Sequence, residues 1–172
     1  YTVFSVWDTF RSAHPLYNII QRDKTTSFLN TFLKQYNDGG QLPIWELCAN
    51  YTGCMIGYHV VSVILDAYVK GIKSPHYSDL YQAMLAVSNR EKLGLPQYQK
   101  KGYISAFEES ESVSKTLEYS YNDWCIAQMA NLLDDSLSYK EYSSRAQSYK
   151  NIFNTNSGFM QPKTNGNWKS GF

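Results

Sequence analysis

DKTTSFLNTFLKQYNDGG, residues 23–40, decides the fold class. Phe28, Leu29, Phe32, Leu33 and Tyr36 recur at three- and four-residue steps, the apolar stripe of an amphipathic helix. Asp23 stands where an N-cap belongs, and the Gly39-Gly40 pair stops the helix. Further along, a helix over about residues 54–70 is predicted, more apolar and ending at Gly71. Its run of Val60, Val61, Val63, Ile64 and Leu65 is β-branched enough to suggest a strand, but its length favours a buried helix. A third helix is expected over 78–90. A fourth is expected over 112–133, with Val113, Leu117, Trp124, Ala127 and Leu132 inward. A fifth should open on a Ser138-x-x-Glu141 capping box and bury Tyr142, Ala146, Tyr149 and Phe153. GLPQYQKKGYISAF, 94–107, reads as an irregular connection. No segment alternates at period two, so the expected class is all-α, helix packed on helix.

Composition narrows the function classes. The chain has 172 residues, a net charge of +1 and 18 % charged residues, which offers no single-signed field for nucleic acid. No apolar run reaches the length of a membrane span. Fifteen Tyr, eight Phe and four Trp supply flat apolar faces with polar tips, suited to cores and to sugar-stacking clefts alike. Cys48, Cys54 and Cys125 have no zinc-ligand spacing and read as small buried apolar residues. A Cys48–Cys54 bridge is open but not implied. Both ends, Tyr1 without an initiating Met and the closing NGNWKSGF, read as cut from a longer polypeptide, so one partial domain over 1–172 is expected.

Four clusters carry polar chemistry. In FSVWDTFRSAHPLY, 4–17, Asp8 and Arg11 stand three apart beside Trp7. They form either a local ion pair or one wall of a sugar site, with carboxylate acceptor, guanidinium donor and flat ring. In LPIWE, Glu46 follows Trp45 in a Pro-containing loop, as a pocket residue or as the cap of the next helix. His59, after Gly57 inside the apolar helix, reads as a core histidine or a ligand donor. Glu118 and Asp123 are five apart and do not share a helix face, so they are no catalytic couple; Lys115 and Glu118 read as a surface pair.

Six stretches together resemble glycoside hydrolase family 92, calcium-dependent exo-acting α-mannosidases of bacteria. They are FSVWDTFRSAHPLY, GGQLPIWEL, CMIGYH, ESVSKTLEYSYNDWCIAQMA, RAQSYKNIFN and GFMQP, in that order. The resemblance implies part of an (α/α)6 toroid and inverting hydrolysis of terminal α-mannosides, often α-1,2-linked, on mannose-terminated glycans. It implies a secreted, periplasmic or cell-surface setting. It also implies that the general acid, the general base and the calcium ligands sit in downstream motifs that this sequence lacks, so the chain alone should be inactive, with the remainder of the parent polypeptide as its partner. Within the chain it implies a sugar contact for Asp8, supported by Trp7 and Arg11, with Glu46 and His59 as further pocket candidates. Two rival functions stand beside it: a non-catalytic helical carbohydrate-binding or scaffolding domain, and another toroid glycosidase or lyase working through Glu46 and Glu118.

Overall fold

A computed structural model describes residues 4–48 and 50–171. The expectations attached to Tyr1 and Phe172 lie outside the described residues. The chain is mostly helical and divides into two compact units, residues 1–88 and 89–172.

The first unit holds α1 (Val6–Thr9), α2 (Ala13–Ile20), α3 (Arg22–Gly39), α4 (Val60–Val69) and α5 (Tyr77–Val87). The quoted stretch is α3, and its stripe packs as its spacing dictates, with Phe28, Leu29, Phe32 and Leu33 buried. Gly40, at φ +69°, closes it, its N–H donating to the Tyr36 carbonyl at 2.7 Å. The β-branched run is indeed a helix, α4, buried on nearly every side. It begins at Val60, six residues later than expected. Gly57, at φ +79°, holds the preceding backbone out of the helical region, so Met55, Tyr58 and His59 lie before the helix. α2 packs on both α3 and α4. Asn18 donates to Asp66 at 2.6 Å, and Arg22 donates to the carbonyls of Lys70 and Gly71, both at 2.9 Å, so the end of α4 is tied to the start of α3. The α2–α3 junction and the C-terminal end of α4 therefore share one frame.

The loop 41–53 is not wholly irregular. β1 (Glu46–Leu47) and β2 (Asn50–Tyr51) form a small antiparallel hairpin, with Glu46 opposite Tyr51. Cys48 stands at its tip and Cys54 beyond its open end; both are exposed and free, as is buried Cys125. The expectation of three buried thiols therefore holds for Cys125 alone.

The second unit holds α6 (Leu95–Lys101), α7 (Ser112–Leu132), α8 (Ser136–Arg145), a 3-10 helix (Ala146–Ile152) and two further hairpins, β3 (Phe153–Asn154) with β4 (Phe159–Met160) and β5 (Lys163–Thr164) with β6 (Asn167–Trp168). These short strands depart from the all-helical expectation, being too brief to show alternation. α6 lies inside the stretch read as irregular: Pro96 occupies its first turn, where its missing N–H costs nothing, and Gly102, at φ +70°, ends it. α8 is capped by Asp135, whose carboxylate accepts from the Ser138 N–H at 3.0 Å, three residues upstream of the expected cap. The chain then tightens to 3-10 winding at Ala146, which turns Tyr149 and Phe153 toward solvent and Ile152 inward.

α7 corrects the sequence reading most. Trp124 is 47 % exposed and Leu132 45 % exposed, whereas Lys115, Thr116, Ser120, Asn122 and Asp123 are buried. The buried charges are matched. Arg145 grips Asp123 through two bonds, Nε–Oδ2 at 2.9 Å and Nη2–Oδ1 at 3.1 Å, and the Tyr98 hydroxyl donates to the same carboxylate at 2.9 Å. Lys115 Nζ lies 2.8 Å from Glu109, not in a surface pair with Glu118. Burial and the adjacent Asp123 charge push the Tyr98 phenol far above its ordinary range.

Candidate functional site

The residues of WDTFR sit at the junction of three chain segments of the first unit. α1 is a single turn, held by Asp8, Thr9 and Phe10 N–H bonds to the Ser5 and Val6 carbonyls. Its entry is pinned to the hairpin loop: the Val6 N–H donates to the Ile44 carbonyl at 2.8 Å, and Ser5 bridges Trp45 antiparallel. Thr52 closes the loop from the other side, donating from its N–H at 3.2 Å and its hydroxyl at 3.1 Å to the Trp45 carbonyl.

Asp8 and Arg11 do not form the local ion pair that their spacing allows. Among the described residues, no contact joins the Asp8 carboxylate to the Arg11 guanidinium. The backbone turn continues past Thr9, with the Arg11 N–H donating to the Asp8 carbonyl at 3.4 Å, and the Arg11 side chain lies over aromatic rings. Its guanidinium carbon sits 5.1 Å from the Trp7 ring centre and 4.8 Å from the Phe10 ring centre. Each such contact contributes about 0.5–1 kcal/mol at an exposed site. Phe10 in turn lies parallel to the His59 ring, with centroids 4.1 Å apart and planes at 4°. Trp7, Arg11, Phe10 and His59 thus form one chain of contacts that brings together residues far apart in sequence.

Asp8 is exposed, Trp7 half-buried, Arg11 exposed and His59 1 % exposed. His59 directly precedes α4, its carbonyl accepting from the Ser62 N–H at 3.0 Å and the Ser62 hydroxyl at 2.8 Å. Glu46 lies in β1, one residue past the bridged Trp45, so it caps no helix. Its Oε1 is buried without a hydrogen-bond partner, and burial pushes its carboxyl above the usual range, partly offset by a backbone hydrogen bond. His14 is also buried, ringed by Phe4, Tyr17, Phe28 and Phe32, with neither ring nitrogen partnered. Desolvation lowers its pKa to about 4, so it is neutral at pH 7. Sequence reasoning missed Phe10, an aromatic whose ordinary reading is core filling. Only its contact with the distant His59 reveals it.

Among the described residues, no group of three or more His, Cys, Asp or Glu lies together to hold a metal ion. The carboxylates of Asp66, Asp123 and Glu109 are taken by Lys70, Arg145 and Lys115. Those three carboxylates are therefore engaged within the chain and not free to ligate a cation.

An exposed carboxylate beside a guanidinium on an aromatic bed is a donor–acceptor wall of the kind sugar hydroxyls need. Comparison with known proteins gives the chain its family. The chain matches the glycosyl hydrolase family 92 catalytic domain over residues 1–172. Two structures of the family GH92 α-mannosidase BT3965 from Bacteroides thetaiotaomicron superpose on all of this chain and 23–24 % of theirs. The one in complex with mannoimidazole gives a TM-score of 0.95 at 40 % identity, and the other 0.96 at 41 %. The family GH92 inverting mannosidase BT2199 from the same organism matches at TM-score 0.93 and 33 % identity, over 98 % of this chain and 24 % of its own. A protein of the fungus Arthroderma benhamiae described as an uncharacterized secreted glycosidase is 30 % identical over 168 residues, 79 % of this chain and 21 % of its own length. The chain belongs to glycoside hydrolase family 92. It spans about a quarter of the relatives it matches.

Proposed function

We propose that this chain is the sugar-wall portion of an inverting exo-α-mannosidase that removes terminal mannose, α-1,2-linked in the first instance, from glycans. The observation that carries the reading is the failure of Asp8 and Arg11 to neutralise each other. The guanidinium lies over Trp7 and Phe10 instead, which leaves the carboxylate exposed and ready to accept hydroxyl hydrogen bonds. The likeness to α-mannosidases, one in complex with mannoimidazole, supports mannose as the sugar. Within this wall Asp8 accepts from two sugar hydroxyls and Arg11 donates to a third. Trp7 carries the guanidinium on one face, and His59 acts through Phe10 without touching the sugar.

Inversion needs an acid to protonate the leaving oxygen and a base to activate water on the opposite face. We assign neither role to a residue of this chain and place both, with the calcium ligands, in the remainder of the parent polypeptide. There the two units form part of an (α/α)6 toroid, and the remainder covers apolar side chains such as Leu16, Ile19 and Ile20 of α2, all more than half exposed. The relative described as secreted supports an extracytoplasmic setting. The test is proton NMR of the full-length protein acting on α-1,2-mannobiose. Release of mannose first as the β-anomer, abolished by chelating calcium and restored by adding it back, is expected. Saturable mannose binding with no hydrolysis would replace this reading with a non-catalytic carbohydrate-binding domain.

A further inference from the structure

We infer that Phe10 is a positioning residue of the sugar wall, fixing the Arg11 guanidinium by clamping it against Trp7 while His59 backs it from behind. This rests on the sugar-site reading above. Arg11 follows a one-turn helix, and among the described residues no carboxylate or carbonyl holds its side chain. A long, exposed arginine so placed would sample many rotamers, and every ligand contact it made would carry the cost of ordering it. The two rings at 4.8 and 5.1 Å narrow that freedom before the ligand arrives. The backbone leading into Trp7 is pinned by the Val6–Ile44 and Ser5–Trp45 pairing, and the Phe10 ring is backed by the parallel His59 ring at 4.1 Å, itself anchored where α4 begins. The rigid frame of α2, α3 and α4 thus reaches the ligand-facing guanidinium through Phe10.

The test is a double-mutant cycle in the full-length protein, run on whichever α-glycoside the unaltered protein turns over fastest. A best substrate other than a mannoside removes the functional reading, while the cycle still decides the role of Phe10. Phe10→Leu should lower kcat/KM about tenfold or more when Arg11 is present, and less than about threefold further in an Arg11→Gln background. Phe10→Tyr, which keeps the aromatic face, should recover most of the loss. His59→Gln removes the backing ring without touching Phe10, and serves if Phe10→Leu does not fold. It should lower kcat/KM several-fold with Arg11 present and hardly at all without it. Equal factors with and without Arg11, or a Phe10→Tyr protein as impaired as Phe10→Leu, would overturn the assignment and leave Phe10 as packing alone.

Discussion

Replacing Asp123 with Ala removes the centre of a buried charge network and should destabilise the second unit severely. The carboxylate has no exposed surface, and the Arg145 side chain is 12 % exposed. Removing one partner of a buried pair costs about 3–5 kcal/mol, because the other charge is left without compensation. Two features place the expected value at the lower end. Glu141 Oε1 lies 3.5 Å from Arg145 Nη1 on the exposed side and can take up part of the charge. The Tyr98 hydroxyl, on losing Asp123, still lies 2.9 Å from the Arg145 carbonyl. The expected loss is therefore about 3 kcal/mol. Tyr98→Phe keeps the ion pair and removes one hydrogen bond to a charged group, so it should cost only about 1–2 kcal/mol. Urea unfolding of the chain, followed by far-UV circular dichroism, reads both. A loss below about 1 kcal/mol for Asp123→Ala, or one no larger than for Tyr98→Phe, would refute the claim that a paired charge organises α7.

His14 is buried neutral with its pKa lowered to about 4, while the unfolded chain protonates it near the ordinary histidine value of 6.5. The unfolded state then binds more protons between these values, so stability is full above pH 6.5 and falls as pH drops toward 4. His14→Leu should flatten that limb by about 3 kcal/mol, and parallel pH–stability curves would contradict it. Gly94 has φ +77°, and a Cβ there would lie 2.8 Å from Ile104 Cδ1. Gly94→Ala should cost about 1–2 kcal/mol in the same denaturation assay, and an unchanged midpoint would show that the turn before α6 relaxes freely.

The parts of the fold legible in the sequence are those where apolar periodicity and burial coincide. In α3 the stripe and the closing glycines agree with the packing. In α4 the length of the apolar run outweighs its β-branched composition, although periodicity does not register Gly57 holding the chain out of the helix until Val60. α6 escapes because Pro96 and its flanking glycines look like loop punctuation when they are in fact its first turn and its two ends. α7 is misread for a different reason. Hydrophobic patterning assumes that polar means outside, and there a lysine and an aspartate are buried against partners 6 and 22 residues away.

The candidate site was legible as a cluster and not as an arrangement. The WDTFR residue types announce a polar-aromatic wall, but their spacing favours an Asp8–Arg11 ion pair. The pair does not form; two rings offer the guanidinium a bed instead. One of those rings is set in place by His59, whose nearness to Phe10 is a product of tertiary packing and leaves no local trace in the sequence.

The central claim, that the exposed Asp8 carboxylate is a sugar ligand, is tested most directly by Asp8→Ala in the full-length protein. Steady-state kinetics on an α-1,2-mannoside and thermal unfolding are measured on the same preparation. Loss of hydrogen bonds from two sugar hydroxyls to a charged acceptor predicts a fall in kcat/KM of about a hundredfold or more, with the unfolding midpoint within about 2 °C of the unaltered protein. Unchanged kinetics, or a loss of activity matched by a loss of folded protein, would contradict it.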